Sequence, residues 1–114
     1  MKDLTIIIPT LNEGLNVYPL YEKINAIFNE EKNIKWEIVF VDDNSSDNTR
    51  TEIEKISKKD SRIKLIHRIG RSGLSSACIE GMRATKSNFV LVMDGDLQHD
   101  EGLIPKMYKK IINE

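Results

Sequence analysis

The chain has 114 residues, in which 17 lysines and arginines nearly balance 18 aspartates and glutamates. This length fits one domain, and the near-zero net charge argues against a dedicated nucleic-acid-binding protein. The single Cys78 excludes an internal disulfide and a cysteine-rich zinc site, and no apolar stretch is long enough to span a membrane.

Four short apolar segments predict four β-strands. The first, second and fourth are almost continuously apolar, which is typical of strands that are covered on both faces. The four segments are Leu4–Ile8, Glu37–Val41, Ile63–Ile66 and Phe89–Met93.

Segments with helical spacing follow each of these strands, because their apolar residues recur every three or four positions. The resulting order β-α-β-α-β-α-β-α predicts a Rossmann-like α/β fold, with a mostly parallel sheet and helices on both faces. The four apolar stripes are Val17, Leu20, Tyr21, Ile24, Ile27 and Phe28; Ile53 and Ile56; Leu74, Ala77, Cys78, Gly81 and Met82; and Leu103, Ile104, Met107, Tyr108, Ile111 and Ile112.

A polar cluster comes directly after each predicted strand. Ligands of open parallel sheets bind at the carboxyl ends of the strands, so these clusters predict one binding edge. They are Thr10–Glu13, Asp42–Ser45, His67 with Arg68, and Asp94–Asp96.

The stretch "MDGDLQH" favours a divalent cation site at the fourth strand exit. Alternate residues of an extended segment point to the same side, which brings Asp94, Asp96 and Gln98 together, and Gly95 permits a tight bend. Two carboxylates and an amide oxygen suit Mg²⁺ or Mn²⁺. The alternative is an ordinary turn, where Asp and Gly are common.

The stretch "FVDDNSSDNT" offers two adjacent carboxylates at the second strand exit. Asp42 and Asp43 could accept hydrogen bonds from a nucleobase or a ribose. The alternative is a helix start with Ser46 or Asp47 as the N-cap. Because such a cap would leave both earlier carboxylates free, we expect Asp42→Ala to weaken nucleotide binding without unfolding the domain.

In "IPTLNEG", Pro9 is predicted to end the first strand, and Asn12 or Glu13 to open the following helix. The backbone N–H groups of this loop could face a phosphate or a base. A simple capped loop is the alternative.

In "HRIGRSGLSSACIEG", Arg68 and Arg71 accompany two glycines ahead of a helix, a combination that suits a diphosphate. The alternative is a glycine-containing turn with solvated arginines. The stretch is neither a P-loop nor a Rossmann dinucleotide fingerprint.

Together, "TIIIPTLNE", "EIVFVDDNSSDNT", "RIGRSGLSSACIEGM" and "FVLVMDGDLQH" resemble the nucleotide-binding half of family-two inverting glycosyltransferases with the GT-A fold. The closest resemblance is to dolichyl- or polyprenyl-phosphate sugar synthases. It implies that Asp94 and Asp96 are catalytic, and that together with Gln98 they hold Mg²⁺ or Mn²⁺. The implied nucleotide-sugar site consists of Pro9, Glu13, Asp42, Asp43, Arg71, Asp94, Gly95 and Asp96.

The resemblance also implies a reaction, namely sugar transfer with inversion from GDP-mannose, UDP-glucose or UDP-N-acetylglucosamine to a polyprenyl or dolichyl phosphate. The protein would be cytoplasmic, and the longer chain would act at the cytoplasmic face of the membrane. Residues 1–114 would be the nucleotide-sugar-binding part of a domain truncated at Glu114, and the exposed apolar stripe of the Leu103–Ile112 helix would favour a homodimer.

Three alternative functions stay open at this stage. The chain could bind nucleotide and metal without turnover, or it could belong to a family-two glycosyltransferase with a saccharide acceptor. The third alternative is a Mg²⁺-dependent phosphatase that uses Asp94 and Asp96, although that function gives Asp42 and Asp43 no role.

Overall fold

The computed structural model describes residues 2–28, 34–70 and 73–93. Within these ranges strands and helices alternate in the predicted order, while the predicted Leu103–Ile112 helix lies outside them. The seven elements are β1 (Lys2–Thr10), α1 (Gly14–Phe28), β2 (Ile34–Asp42), α2 (Thr49–Lys59), β3 (Ile63–His67), α3 (Leu74–Arg83) and β4 (Phe89–Val92).

The four strands form one parallel sheet in the order β3-β2-β1-β4. Strands β1 and β2 pair over their full lengths, and Thr10 lies opposite Asp42 at the end of the ladder. His67 of β3 lies opposite Asp42 on the other side. The predicted Rossmann-like α/β architecture is therefore confirmed, and the ends of β1, β2 and β3 are level at the carboxyl edge.

Strand β1 continues through Pro9, which was predicted to end it. The Ile7 carbonyl accepts the N–H of Met93 at 3.0 Å on the β4 side. Alternate residues of a strand point the same way, so the missing N–H of Pro9 also faces that side, where β4 pairs with β1 only as far as Ile7. The proline therefore costs no ladder hydrogen bond.

Helices cover both faces of the sheet, as predicted. Side chains of β1 alternate between two apolar clusters: Leu4, Ile6 and Ile8 pack with α1 and α2, whereas Ile7 packs with Ala77 of α3. Because both faces are covered, the strands are almost continuously apolar, which is the pattern that predicted them.

The apolar stripe of α1 is largely confirmed. Its buried residues include Val17, Leu20, Ile24 and Phe28, while Tyr21 is half-buried. Burial of such a stripe, at about 25 cal/mol per Å² of apolar surface, is the main force that holds a short helix in place.

Helix α3 packs more closely against the sheet than its predicted stripe indicated. A Cβ added to Gly81 would lie 2.7 Å from Cγ2 of Ile7, so glycine is what allows this approach. Cys78 is half-buried, and Met82 is 47% exposed, so its predicted place in the core was wrong. The physical reason is that the close contact at Gly81 turns the neighbouring Met82 away from the sheet.

A polar cluster joins α1 to the turn before β3, far from the carboxyl edge. Arg62 donates to both oxygens of Asp60, from Nε at 2.9 Å and from Nη2 at 2.7 Å, and its guanidinium carbon lies 4.0 Å from the centroid of the Trp36 ring. The Tyr21 hydroxyl donates to Asp60 Oδ2 at 2.7 Å. Burial, reinforced by the Asp60 carboxylate, raises the pKa of Tyr21 to about 12.

Candidate functional site

Asp42 is the centre of the carboxyl edge. Its side chain is fully buried, and Oδ1 accepts hydrogen bonds from the hydroxyls of Thr10, at 2.8 Å, and Ser45, at 2.5 Å. Oδ2 accepts from the Ser45 N–H at 2.9 Å and from Arg50 Nη1 at 3.0 Å. The expectation that Asp42 stays free was therefore wrong.

The ionised form of Asp42 is favoured by these four donors. Burial by itself would raise the pKa of the carboxyl, but the hydrogen bonds from Ser45, Thr10 and Arg50 together outweigh it and hold the pKa below its usual value. A buried carboxylate of this kind fixes the backbone around it more than it offers an acceptor to a ligand.

The β1–α1 loop (Leu11–Glu13) is bonded to the β2–α2 loop (Asp43–Asn48) across the edge. The sequence left open whether its N–H groups face a phosphate or base or belong to a simple capped loop. Three consecutive N–H groups, the last of them at the first residue of α1, bond to the segment after β2 instead. They are Asn12 N, which donates to Ser45 Oγ at 2.9 Å; Glu13 N, to Thr49 Oγ1 at 2.9 Å; and Gly14 N, to Asp47 Oδ2 at 3.1 Å.

Asn12 and Gly14 make this close approach of the two loops possible. Asn12 has a positive φ of 55°, which asparagine tolerates better than most residues, and its Oδ1 accepts the N–H of Ser46 at 2.9 Å. A Cβ added to Gly14 would lie 2.0 Å from Oδ1 of Asn48. The two loops are therefore one structural unit.

Helix α2 begins later than predicted, because its N-cap lies one residue after Asp47 and two after Ser46, the two predicted caps. Its N-cap is Asn48, whose side chain makes no capping hydrogen bond. Asp47 takes part of that role, because its Oδ1 accepts the N–H of Thr49 at 2.9 Å and also the Thr49 hydroxyl. Asp47 thus bonds the backbone two residues ahead, as Asp commonly does in turns.

Asp43 forms an ion pair with Arg68 at the same edge. Arg68 Nε donates to Asp43 Oδ1 at 2.6 Å, and the Arg68 side chain is fully buried while that of Asp43 is 16% exposed. Neither the free Asp43 nor the solvated Arg68 of the sequence analysis is observed. Asp43 Oδ2, however, carries no hydrogen bond within the described part of the chain.

Four of the predicted nucleotide-sugar residues lie within the described ranges, and the fold brings them to one edge. Pro9 and Glu13 are half-buried, next to the pair Asp42 and Asp43. Glu13 Oε2 accepts from Asn16 Nδ2 at 3.1 Å. The other four, which are Arg71, Asp94, Gly95 and Asp96, lie outside the described residues, and so does Gln98 of the predicted cation site.

Sequence reasoning gave no role to the residues that hold this edge together. Thr10, Ser45 and Arg50 all bond Asp42; the first two lay in the predicted polar clusters without a role, and Arg50 lay outside them. The one available signal was the position of Thr10 and Asp42 at equivalent ends of two apolar strands, which would meet if those strands were neighbours.

The predicted cation site follows β4 directly. Met93 bonds to Ile7 of β1, and Asp94 is the next residue along the chain. Two carboxylates and an amide oxygen are a donor set that suits Mg²⁺ or Mn²⁺. Residues 2–28, 34–70 and 73–93 contain no group of three or more His, Cys, Asp or Glu side chains that could hold a metal.

A separate cavity lies at the opposite, amino end of the sheet. Lys35, Glu37 and Lys64 line it together with Thr85, and Glu37 is already paired with Lys64 at 3.0 Å. None of the described strand-exit clusters lines this cavity. Among the described helices, none has the length and apolar character that a membrane span requires.

Comparisons with known proteins agree with this architecture. Residues 5–114 match the family model "Glycosyl transferase family 2". The dolichol-phosphate mannosyltransferase of Saccharomyces cerevisiae is 33% identical over 109 residues, which cover 96% of this chain and 41% of the yeast protein. The chain spans less than half the length of the curated relatives it matches.

Two solved structures have similar folds. One is the mannosyltransferase PcManGT from Pyrobaculum calidifontis in complex with GDP-Man and Mn²⁺, with a TM-score of 0.63 and 26% identity over 82% of this chain and 27% of that chain. The other is S. aureus TarS in complex with UDP-GlcNAc, with a TM-score of 0.75 and 25% identity over 99% of this chain and 31% of that chain. Because the family model matches nearly all of the sequence, the chain belongs to glycosyl transferase family 2.

Proposed function

We propose that the protein transfers mannose from GDP-mannose, with inversion, to a polyprenyl phosphate. One observation carries the proposal: the sheet order β3-β2-β1-β4 puts β1 between β2 and β4. The Asp42–Asp43 pair, the β1–α1 loop and Met93, the residue before Asp94, therefore follow neighbouring strands, and ligands of such sheets bind at the carboxyl edge.

In this proposal Asp43, rather than Asp42, contacts the base or ribose of the donor. Asp42 has four donors around it, so a ligand would have to displace one of them. Asp43 keeps Oδ2 without a hydrogen bond in the described part of the chain and is partly exposed. Pro9 and Glu13 line the same edge from the β1 side.

Asp94, Asp96 and Gln98 are the residues that would hold Mg²⁺ or Mn²⁺. When bound, the cation offsets the negative charge that develops on the leaving diphosphate. The complex of PcManGT with GDP-Man and Mn²⁺ supports this choice of donor and cation. A lipid phosphate is already anionic, so the acceptor needs no strong general base from this chain.

The lipid acceptor and the cytoplasmic face of the membrane are the finer parts of the proposal. The lipid acceptor is supported by the resemblance to the dolichol-phosphate mannosyltransferase of yeast, whereas the cytoplasmic face stays a prediction. Uridine donors are the main alternative, since TarS is known in complex with UDP-GlcNAc. The proposed homodimer rests on the Leu103–Ile112 helix and stays a prediction.

The test is transfer of radiolabelled sugar from GDP-mannose, UDP-glucose and UDP-N-acetylglucosamine to a polyprenyl phosphate or to a soluble saccharide. We expect transfer from GDP-mannose into the lipid fraction, with loss in Asp43→Asn. Asp3→Asn, at the amino end of the same sheet, is the matched control and should keep the activity. Transfer only to the saccharide would refute the lipid acceptor.

A second candidate function is nucleotide and metal binding without turnover. It would use the same carboxyl edge and the same residues Asp43, Asp94, Asp96 and Gln98. Calorimetry with GDP and Mn²⁺, combined with the transfer assay, separates the two functions, because a binding unit would bind GDP and yet transfer no sugar to any acceptor.

A further inference from the structure

We propose that Arg68 is a positioning residue of the donor site, which ties the start of α3 to Asp43 and thereby links the nucleoside side of the site to its phosphate side. The inference rests on the proposed function, because it concerns the same nucleotide site. It assigns a specific role to a residue for which the sequence left two possibilities open, a diphosphate ligand or a solvated arginine.

The guanidinium of Arg68 bonds to three groups in two segments. Nε donates to Asp43 Oδ1 at 2.6 Å, Nη1 to Ser76 Oγ at 2.7 Å, and Nη2 to the Gly73 carbonyl at 3.1 Å. Asp43 follows β2, whereas Gly73 and Ser76 are the N-cap and first turn of α3. One side chain therefore spans the gap between the two.

The burial of Arg68 makes these bonds necessary. Its side chain is fully buried and is the largest such side chain in the described part of the protein. A buried arginine is stable only with partners for its charge and its N–H groups. The hydrogen bond to Asp43 raises the pKa of Arg68 further, and its backbone N–H donates to the Asp42 carbonyl at 2.9 Å.

The start of α3 is held by these bonds from Arg68. Gly70 and Gly73 have positive φ angles of 76° and 108°, which residues with a Cβ rarely adopt. Glycines lose the most conformational freedom on ordering, and the bonds from Arg68 to Gly73 and Ser76 help to offset that loss at the N-cap of α3. Arg71, which the resemblance relates to the donor phosphates, belongs to this span of the sequence.

A guanidinium is suited to this role and an ammonium is not. Arginine presents several donors in a rigid planar fork, whereas lysine presents one nitrogen on a flexible stem. Arg68→Lys keeps the positive charge beside Asp43 but cannot reach the carboxylate, the hydroxyl and the carbonyl together. Because displacements of about 1 Å in a site can cost 100-fold in rate, loosening α3 should be measurable at the ligand.

The test is calorimetry of the purified protein with GDP, GMP, UDP and UMP in the presence of Mn²⁺. The ratio of GMP to GDP dissociation constants gives the phosphate preference, and the ratio of UDP to GDP gives the base preference. In Arg68→Lys we expect both preferences to fall by about tenfold or to disappear, as the loss of charged hydrogen bonds predicts.

Arg62→Lys is the matched control. Arg62 is also paired with an aspartate, at 2.7 Å, and it precedes β3 where Arg68 follows it. This variant should unfold at a lower temperature yet keep both preferences. If Arg68→Lys does not fold, Ser76→Ala tests the inference instead, because it removes one acceptor of the Arg68 guanidinium and leaves the ion pair with Asp43. This variant should lower the phosphate preference and keep the base preference.

Two results would overturn the inference while leaving the proposed function intact. One is an Arg68→Lys protein that loses stability but keeps both preferences, which would make Arg68 a purely structural residue. The other is a change in base preference alone, which would mean that α3 is not linked to the ligand. If the wild-type protein binds none of the four nucleotides, the proposed function fails and the inference fails with it.

Discussion

Replacing Asp42 with alanine should destabilise the whole fold, contrary to the expectation from the sequence. The carboxylate is fully buried and accepts four hydrogen bonds. Without it, the Ser45 N–H and the Arg50 guanidinium lose their acceptor. Breaking a buried ion pair lowers the free energy of unfolding by about 3–5 kcal/mol. Because Arg50 is 29% exposed and can regain water, we expect Asp42→Ala to lower it by about 3 kcal/mol, at the lower end of this range.

Asp42→Asn should be much milder, because the two oxygens of Asp42 have different partners. The donors at Oδ1 are hydroxyls of Thr10 and Ser45, which can accept as well as donate, so the asparagine amide nitrogen can take that place. Its amide oxygen can still accept from the Ser45 N–H and from Arg50. Asp42→Asn then mainly removes one negative charge, and we expect the free energy of unfolding to fall by about 1 kcal/mol.

Urea denaturation followed by the fluorescence of Trp36, the single tryptophan, measures both losses. Trp36 is buried and stacks on Phe28 with ring centroids 5.5 Å apart, so unfolding changes its environment. Asp3→Ala, at the amino end of β1, is the control. An alanine variant of Asp42 that is as stable as the wild type, or an asparagine variant as unstable as the alanine one, would refute this account of the edge.

The pH dependence of stability gives an independent check on Asp42. Its pKa is lower in the folded protein than its usual value, so the unfolded chain binds the proton first as the pH falls. The stability that Asp42 contributes is therefore complete above about pH 4 and is lost as the pH drops further. We expect acid unfolding to flatten in Asp42→Asn relative to the wild type.

Three further predictions concern the sheet face, the alkaline range and the cation. Gly81→Ala should destabilise by about 1 kcal/mol in urea denaturation, since crowding of Ile7 at 2.7 Å outweighs the gain in helix propensity; a more stable variant would contradict the close packing. Between pH 10 and 12 the wild type should lose stability, because Tyr21 ionises near its usual pKa of 10.0 in the unfolded chain but only at about 12 beside Asp60 in the folded protein. Tyr21→Phe should lose less stability over this range; an equally steep loss in the variant would assign the pH dependence to other groups. In calorimetry Asp96→Ala, like excess chelator, should weaken GDP binding in the presence of Mn²⁺ by about tenfold, and unchanged affinity would exclude Asp96 from the cation site.

The order of the elements was predictable because burial is local in the sequence. Apolar runs such as Leu4–Ile8 are long enough for a buried strand and too short for a helix. Helical spacing of Val17, Leu20 and Ile24 marks the side that packs on the sheet. Strand order was not predictable in the same way, because a run of apolar residues does not indicate which other strand it pairs with.

The internal contacts of the candidate site depend on that missing information. Thr10 bonds Asp42 only because β1 and β2 are adjacent and in register. The hydrogen bond from Asn12 N to Ser45 spans 33 positions of the chain for the same reason. A motif therefore indicated that these positions matter, but it could not distinguish a residue that contacts a ligand from one that fixes the loops.

The two adjacent carboxylates illustrate this distinction. Neighbouring residues leave a strand towards opposite faces: Asp42 turns to the face of α1 and α2, where it meets Arg50 of α2, and Asp43 turns to the face of α3, where it meets Arg68. Each carboxylate thus joins the end of β2 to one helical layer. The pair sits where both layers meet the carboxyl edge, so a nucleotide bound there would contact a surface whose two halves are each held by one of these aspartates.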